Sequence, residues 1–572
     1  MLLFLTAMCA TVPQQQARTP RLSDLSLDEK IGQMFSYGAR GIFMAESSPA
    51  YQQLLHQVRD NHVGGVIWFL SNVYETAALT EKLQRASRVP LLISADLEAG
   101  VGMRFADTTF WPSAMAVAAT GDPSLAEREG RVVAVEAKAV GINHILAPVA
   151  DVNVDPDNPV INTRSFGEDP QEVSRYVTAF IRGVQSEHVL ATAKHFPGHG
   201  ATHVDSHRAL PVLDVSPQRL ESVELVPFRA AIAANVASIM IGHLSVPSIE
   251  PTPAPVRPDQ HNENPYGTAA SEVPREGTLP ATISPKIIDG LLRKELGFKG
   301  LVVSDAFDMG GLTEHFDPGE AAIRAIEAGE DQILLSPNTD MAIAAVKIAV
   351  KSGRISEQRI DVSVQRILAV KEFTGAPHAE PEKIFRIIDS QEHRDLAGEI
   401  ARRALTLVRE QNGVLPLRRG ARVLLVIITD LPDPTVMQDL EREARTRAEV
   451  VQVAMVDSRS RDEDLQPILA QNADVALLAF AVRARSGAGQ IAVPAAARHL
   501  VELLKLPMIG ISFGTPYLLR EVPSLGTYIC AYGIQPVMQV AAVNAIFGET
   551  GFTGHLPVTI PGLYARGHGI ER

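Results

Sequence analysis

The stretch DPSLAEREGRVVAVEAKAVGINHILAPVAD, residues 122–151, joins a helical pattern to a short apolar run, and this alternation decides the fold. The first part has apolar residues at helical spacing. It opens with Asp122-Pro123, a typical helix start, because the aspartate caps an orphan N–H and proline needs no donor there. The second part, INHILAPVAD, is a continuous apolar run, which is typical of a parallel strand covered on both faces.

The same alternation extends from about residue 30 to residue 375. Similar capping residues followed by proline occur at 169, 216 and 284. Eight β-then-α units predict a parallel sheet closed into a (β/α)8 barrel, with an open doubly wound sheet as the alternative. The eight apolar runs are MFSYG (34–38), VGGVIWFL (63–70), PLLISAD (90–96), INHILAPVAD (142–151), VLATAKHF (189–196), SIMIGHLSV (238–246), GLVVSDAF (300–307) and DQILLS (331–336).

A chain of 572 residues is too long for one ordinary core, and a second α/β unit begins near Arg422. Its apolar runs RVLLVIITD, VVQVAMVD, ADVALLAFAV and PMIGISFGTPYLL indicate buried strands. We therefore expect a leader at 1–20, a barrel at 21–375, a helical linker at 376–420 and an α/β sandwich at 421–572. The proline-rich segment 250–280 predicts a long loop, either a flexible insertion or a rim of the barrel mouth.

The composition limits the classes of partner. The formal net charge of -13 argues against nucleic acid, which needs a concentrated basic face. The two cysteines suit neither a zinc site nor a disulfide framework. The first residues, MLLFLTAMCATVPQQQARTP, resemble an export signal without its basic start and predict a periplasmic or extracellular protein rather than a cytoplasmic one; a disordered tail is the alternative. Cys9 fits a lipid-anchor motif poorly, and no other apolar run is long enough to span a membrane.

Unexpected polar residues end several of the predicted strands. In a (β/α)8 barrel the chemistry collects at the C-terminal ends of the strands, and a charged group there is costly to bury without a partner. Five such positions on one rim predict a single site. They are Asp96, Lys194 with His195, His243, Asp305 and, in the loop after the fourth run, Arg164.

The segment KHFPGHGATHVDSHRALP, residues 194–211, has histidines at every fourth position. On a helix they would share one face and suggest a metal site, but Pro197, Gly198 and Gly200 break any helix there. Neither an HExxH motif nor a matched set of carboxylates is present, so we do not expect a metal. We expect no other cofactor either. Asp205 and His207 remain as a candidate general acid/base pair, because a carboxylate can orient an imidazole.

At this point the residues resemble a known family. KHFPGHG followed by DSH and LP is similar to the signature of the β-N-acetylglucosaminidase branch of glycoside hydrolase family 3. ADLEAGVGMRF (95–105), NTRSFGEDP (162–170), LPATISPKIIDGLLRKELGFKGLVVSDAFDM (279–309) and GHLPVTIPGLYARGHGI (554–570) agree with it. The resemblance covers nearly the whole chain after the leader and implies a TIM-type barrel followed by an α/β sandwich.

The resemblance also implies roles for particular residues. Asp305 corresponds to a catalytic nucleophile that forms a covalent glycosyl-enzyme, His207 to the acid/base and Asp205 to its supporting carboxylate. The sugar-binding residues would be Asp96, Arg104, Arg164, Lys194 and His195. Ala99 and Ala201 depart from the family pattern, and we expect them to change subsite detail only.

The expected function is that of a retaining exo-β-N-acetylglucosaminidase. It would act on muropeptides, as in peptidoglycan recycling, or on chitooligosaccharides. Phosphorolysis, with phosphate in place of water, and β-glucosidase activity are the close alternatives. A non-catalytic sugar-binding protein is an alternative from another class, although it would need neither Asp305 nor His207. The natural aglycone and the oligomeric state stay open.

Overall fold

The structure, a computed structural model, describes residues 19–572 except positions 107, 258–276, 380, 412, 431, 432, 434, 485, 486 and 488. The expected leader, apart from its last two residues, and Cys9 lie outside the described residues. Most of the 250–280 loop does as well, so only its two ends are described.

The first sheet has eight strands, joined in parallel in the order β7-β6-β5-β4-β3-β2-β1-β8. A parallel bridge between Val303 and Gln332 joins β7 to β8 and closes the sheet into the expected barrel. The strands are β1 (Phe35–Arg40), β2 (Gly65–Phe69), β3 (Leu92–Ala95), β4 (His144–Ile145), β5 (Leu190–Phe196), β6 (Ser238–Ile241), β7 (Leu301–Ser304) and β8 (Ile333–Leu334).

Helices cover the outside of the barrel, and three of the four predicted capping residues start one of them. Asp122, Asp169 and Ser216 each accept a backbone N–H at the first turn of a helix that opens with proline. The helices up to the second domain are α1 (Leu27–Gln33), α2 (Pro49–Arg59), α3 (Val73–Ala86), α4 (Ala114–Ala119), α5 (Pro123–Ala139), α6 (Pro170–Gln185), α7 (Pro217–Arg219), a π-helix (Leu220–Glu224), α8 (Val226–Ala233), a second π-helix (Lys286–Glu295), α9 (Gly310–Thr313), α10 (Pro318–Ala328), α11 (Thr339–Lys351), α12 (Glu357–Thr374), α13 (Pro381–Ile387) and α14 (Gln391–Ala404).

The barrel interior holds a polar group among its apolar layers. His144 on β4 is fully buried, with Nδ1 3.0 Å from Ser94 Oγ on β3 and Nε2 2.8 Å from Thr192 Oγ1 on β5. Both ring nitrogens thus have partners, which offsets the cost of burying them. Burial lowers the pKa of His144 to about 3, so the ring is neutral over the physiological range.

The second sheet has six strands in the order β11-β10-β12-β13-β14-β9, parallel except for β9 at the edge. Thr406–Glu410, within the stretch expected to be a helical linker, forms β9 and pairs with β14. The other elements are β10 (Arg422–Thr429), α15 (Gln438–Arg445), β11 (Glu449–Val456), α16 (Gln466–Leu469), β12 (Val475–Ala481), α17 (Ala495–Leu503), β13 (Met508–Ser512), β14 (Thr527–Cys530) and α18 (Pro536–Ile546).

The two sheets are held together by apolar packing and hydrogen bonds. Residues of α4, a barrel helix, belong to the core of the second domain, among them Met115 and Ala119. Ser113 Oγ donates to the carbonyl of Tyr532 at 2.9 Å, and Asn153 Nδ2 donates to Tyr517 Oη at 2.9 Å. The loops that follow β12, β13 and β14 therefore lie opposite the C-terminal mouth of the barrel. In the described part of the chain, no helix combines the length and the apolarity needed to cross a bilayer.

Candidate active site

A cavity of about 1140 Å³ lies between the barrel mouth and the second domain. Barrel loops line one side of it, and residues such as Arg483, Phe513 and Tyr532 of the second domain line the other. The structure brings together the site residues that the sequence predicted. Those lining the cavity are Asp96, Arg104, Arg164, Lys194, His195, His207 and Asp305, while Asp205 is buried behind His207.

Five charged side chains form a network on the barrel side of the cavity. Lys194 Nζ, at the end of β5, lies 2.9 Å from Asp96 Oδ1 and 2.7 Å from Glu98 Oε1. Arg104 Nη2 donates to the other oxygen of Asp96 at 2.7 Å. Arg164 donates to both oxygens of Glu98, at 2.7 and 2.8 Å. Glu98 Oε1 already accepts from both Lys194 and Arg164. Both oxygens of Asp96 and Oε2 of Glu98 each accept one of these bonds and still have a lone pair to offer, which suits the recognition of sugar hydroxyls.

The network fixes the charge of its members. Burial alone would raise the pKa of the Asp96 carboxyl, but Lys194 and Arg104 outweigh it and hold that pKa below its usual value. The pKa of Glu98 is likewise well below its usual value, since Arg164 and Lys194 overcome the effect of burial. Burial opposes the charge of Lys194 as well, yet the two carboxylates raise its pKa. The site is therefore a set of fixed charges around neutral pH.

Glu98 is the member of this network to which sequence reasoning gave no role. It lies two residues after Asp96 in ADLEAGVGMRF, and its side chain is 9% exposed. The available signal was an acidic residue in a loop rich in small residues, two positions after a strand-end aspartate. Its two partners come from β5 and from the loop after β4, so only the folded chain shows that they meet.

Asp305, the predicted nucleophile, directly follows β7. Its backbone N–H donates to the carbonyl of Ile241 at 2.9 Å, and its Oδ1 accepts the N–H of Ala306 at 2.9 Å. Burial would raise the pKa of this carboxyl, but the surrounding imidazoles, His195 first, lower it. Asp305 is therefore a carboxylate, the form that a nucleophile requires.

His243 supports the segment that carries Asp305. Its Nε2 lies 2.8 Å from the carbonyl oxygen of Ala306, and its Nδ1 lies 2.9 Å from Thr282 Oγ1. A carbonyl oxygen only accepts, so Nε2 carries the proton and Nδ1 accepts from the hydroxyl. Burial lowers the pKa of His243, which agrees with this neutral form.

Asp205 and His207 form the predicted pair. Asp205 Oδ1 accepts from Nδ1 of His207 at 2.8 Å and from its backbone N–H at 2.9 Å. The Asp205 side chain is 1% exposed, and that of His207 is 17% exposed. Burial opposes the charge of Asp205, but the hydrogen bond from His207 outweighs it and lowers the Asp205 pKa. With Nδ1 committed to the aspartate, Nε2 is the nitrogen able to exchange a proton in the cavity.

The remaining histidines of the 194–211 segment point to different partners. His195 Nδ1 lies 2.7 Å from Asp151 Oδ2, and the backbone N–H of His199 donates to Asp151 Oδ1 at 2.7 Å. His199 is buried between Thr202 and Ser206, and burial lowers its pKa to about 4. His203 is exposed and pairs with Asp155 at 2.7 Å. Within the part of the chain that the structure describes, no group of three or more His, Cys, Asp or Glu side chains is arranged to hold a metal.

Close backbone contact explains the glycine at the centre of this segment. A Cβ placed on Gly200 would lie 1.9 Å from the carbonyl oxygen of Val152. The segment therefore packs directly against the loop that carries Asp151. This packing holds the two ends of the segment, His195 and His207, at different places in one cavity.

Asp308 is a second carboxyl group in the cavity wall, three residues after Asp305. Burial raises its pKa to about 6. Its Oδ1 is buried and has no hydrogen-bond partner among the described residues. Its environment therefore differs from that of Asp305, whose charge the neighbouring imidazoles stabilise.

Solved structures share the whole two-domain arrangement. A family 3 β-N-acetylglucosaminidase from Paenibacillus sp. str. FPU-7 superposes with a TM-score of 0.79 at 31% identity, over 94% of this chain and 99% of that one. A β-glucoside phosphorylase, BglX, bound to 2FGlc superposes with a TM-score of 0.82 at 27% identity, over 94% and 95%. The predicted fold, a barrel followed by an α/β domain, is confirmed.

The sequence comparisons agree with the structural ones. The β-N-acetylglucosaminidase/β-glucosidase of Cellulomonas fimi is 32% identical over 557 residues, which cover 94% of each chain. The family model described as "Glycosyl hydrolase family 3 N terminal domain" matches residues 26–370. This match spans the barrel and every predicted site residue, and the chain belongs to glycosyl hydrolase family 3.

Proposed function

We propose that this glycoside hydrolase is a retaining exo-β-N-acetylglucosaminidase that releases terminal β-linked N-acetylglucosamine. Its substrates would be muropeptides, as in peptidoglycan recycling, or chitooligosaccharides, and the leader would carry the enzyme out of the cytoplasm. The observation that carries the proposal is the Asp205–His207 hydrogen bond in the same cavity as the Asp305 carboxylate. The names of the C. fimi and Paenibacillus relatives support the choice of sugar.

The first half of the reaction would form a covalent intermediate. Asp305 attacks the anomeric carbon, and the bond from that carbon to the leaving oxygen breaks. His207 gives its Nε2 proton to the leaving oxygen, so the aglycone departs as a neutral alcohol. Asp205 stabilises the imidazolium before the transfer and keeps its Nδ1 proton in place afterwards.

The second half would reverse these roles. The now neutral His207 takes a proton from water, and the oxygen attacks the anomeric carbon from the face that the aglycone left. The bond to Asp305 breaks, and two inversions leave the sugar with its original configuration. The charged network of Asp96, Glu98, Lys194, Arg104 and Arg164, together with His195, would bind the sugar throughout.

Phosphorolysis is a second candidate, because a β-glucoside phosphorylase shares the fold over 94% of this chain. After the first step His207 is neutral and would not repel a phosphate anion as a second carboxylate would. Phosphate would then displace Asp305 and release a sugar 1-phosphate. Incubation with an aryl N-acetylglucosaminide, with and without phosphate, separates the two: free sugar as the main product in both supports hydrolysis, and sugar 1-phosphate overturns it.

β-Glucosidase activity is the other alternative, since the name of the C. fimi relative includes it. Rates on an aryl glucoside and on the matching N-acetylglucosaminide compare the two sugars directly. We expect a kcat/KM at least tenfold higher for the N-acetylated substrate. Equal values would contradict the proposed specificity.

The mechanism is tested with Asp305→Ala and His207→Ala. Removal of the nucleophile is expected to lower kcat by 10³-fold or more on every substrate, since no covalent intermediate forms. Azide should then attack the anomeric carbon of an activated substrate directly and give the α-glycosyl azide. Wild-type turnover in Asp305→Ala would rule out the mechanism.

A further inference from the structure

The second domain contacts the acid/base pair through a backbone group. The N–H of Gly487, in the loop after β12, donates to Asp205 Oδ2 at 2.6 Å. The other oxygen of Asp205 is the one that faces His207. Both oxygens of this carboxylate are therefore held, one by the barrel and one by the second domain.

A second contact joins the loop after β12 to the loop that carries Asp205 and His207. Gly489 lies so close to Arg208 that a Cβ on it would be 2.5 Å from Arg208 Nη1. Arg208 is the residue after His207. Gly487 and Gly489 have φ of 77° and 82°, in the left-handed region where glycine is favoured, and this conformation presents the N–H of Gly487 to the buried carboxylate.

We propose that the N–H of Gly487 positions the acid/base pair, so that the second domain takes part in proton transfer as well as in lining the cavity. This inference rests on the function proposed above. With both oxygens bonded, the carboxylate of Asp205 cannot rotate about its Cβ–Cγ bond without losing a charge-assisted hydrogen bond. The imidazole bonded to it is then held in one plane, with Nε2 directed to the leaving oxygen.

The same hydrogen bond keeps Asp205 charged. Burial opposes the ionised form of this carboxyl, and the N–H of Gly487 is one of the groups that lower its pKa against that effect. A charged Asp205 stabilises the imidazolium of His207, which is the form that protonates the leaving oxygen. Loss of the N–H would weaken both the orientation of the acid and its charge state.

The test uses the dependence of the rate on the leaving group. Gly487→Pro removes the donor, and proline cannot adopt a positive φ. The purified full-length variant is compared with wild type on three substrates. The aglycone of 2,4-dinitrophenyl N-acetylglucosaminide departs without a proton, whereas the leaving groups of the phenyl glycoside and of chitobiose need one. We expect kcat/KM to fall about 10- to 100-fold on the last two and less than about threefold on the first.

A matched control separates this effect from that of any proline in the second domain. Gly413 also has a positive φ, 64°, and has open space around it. Gly413→Pro should keep the wild-type leaving-group dependence. Gly489→Val displaces the loop after β12 independently, because a β-branched residue is strained at the φ of 82° that Gly489 adopts. This variant replaces Gly487→Pro if the proline variant does not fold. It should show the same selective loss.

The outcomes distinguish the inference from the proposed function. An equal loss on all three substrates, or no loss on any of them, would overturn the positioning role of Gly487. If wild type does not hydrolyse the dinitrophenyl substrate, or does so without Asp305, the proposed function itself fails. A basic limb of the pH profile that moves in Gly487→Pro and stays in place in Gly413→Pro would support the inference further.

Discussion

Lys194 bonds two carboxylates at once, with its Nζ 2.9 Å from Asp96 Oδ1 and 2.7 Å from Glu98 Oε1. Its side chain is only 2% exposed, so the ammonium group is shielded from water by the groups that it neutralises. One lysine thus joins the end of β3 to the end of β5 and fixes the charged wall of the cavity.

Replacement of this lysine by an apolar side chain of similar length should therefore damage both stability and binding. Lys194→Met leaves two carboxylates with one cation fewer in a buried site, and we expect a loss of about 3–5 kcal/mol in the free energy of unfolding. The kcat/KM should fall by at least about 100-fold. Calorimetry and steady-state kinetics measure the two effects.

Lys294→Met is the matched control, because Lys294 forms an exposed pair with Asp289. Such a surface pair contributes little, so the control should differ from wild type by no more than about 0.5 kcal/mol. A similar loss in both variants would contradict the role given to the buried pair.

The parts of this site that lie on strand ends could be predicted from the sequence. Asp96, Lys194 and Asp305 each end a continuous apolar run, and the barrel topology then places them on one rim. Glu98 and Asp151 were overlooked because acidic residues in loops are common and nothing local shows that they are buried. Their partners, Arg164 and His195, lie 66 and 44 residues away along the chain.

The second domain was the hardest part to predict. β9 lies between a helix and a loop, and its five residues become a strand only through their pairing with β14, more than a hundred residues away. The contact between Gly487 and Asp205 depends on how two domains pack together. Periodicity and capping describe single elements, so they contain no information about that packing.

Asp308 should make the protein less stable as the pH rises. Its pKa is raised by burial to about 6, against an ordinary value near 4, so its contribution is full below pH 4 and is lost as the pH rises through 6. Asp308→Asn removes this cost and should be more stable than wild type by about 1–3 kcal/mol at pH 8, with little difference at pH 4. Thermal midpoints at both pH values measure it. A difference that is the same at both would exclude titration of Asp308 as the cause.

His144 should make the protein less stable as the pH falls. Burial lowers its pKa to about 3, whereas the unfolded chain binds this proton near pH 6.5, so stability falls as the pH drops through that window. His144→Gln can still bond to Ser94 and Thr192 but does not titrate. Its free energy of unfolding should change less between pH 7 and pH 5 than that of wild type, by up to about 2 kcal/mol.

The control for this measurement is His203→Gln, because the His203 side chain is 78% exposed. It should keep the pH dependence of the wild-type protein. If His144→Gln also keeps it, acid destabilisation must come from groups outside the barrel interior.

Asp151 provides the last test, since it determines which nitrogen of His195 carries a proton. Its Oδ2 lies 2.7 Å from His195 Nδ1, while its Oδ1 accepts the backbone N–H groups of His195 and His199 at 3.2 and 2.7 Å. A carboxylate accepts only, so Nδ1 carries a proton, and Nε2 of a neutral ring can accept from a sugar hydroxyl. In Asp151→Asn the amide oxygen would keep the backbone donors, and the amide NH₂ would face Nδ1. His195 would then carry its proton on Nε2 and could no longer accept there. We expect KM to rise about tenfold or more, with a much smaller change in kcat. A deoxy substrate without the hydroxyl that contacts His195 should have a lower kcat/KM than the parent sugar with wild type, but the same kcat/KM with Asp151→Asn.

Glu98→Gln is the control, because it changes a different part of the cavity. It should weaken binding of both substrates and keep the difference in kcat/KM between them. If Asp151→Asn instead lowers the rates on both substrates equally, its role is to hold the 194–211 segment rather than to set the proton on His195.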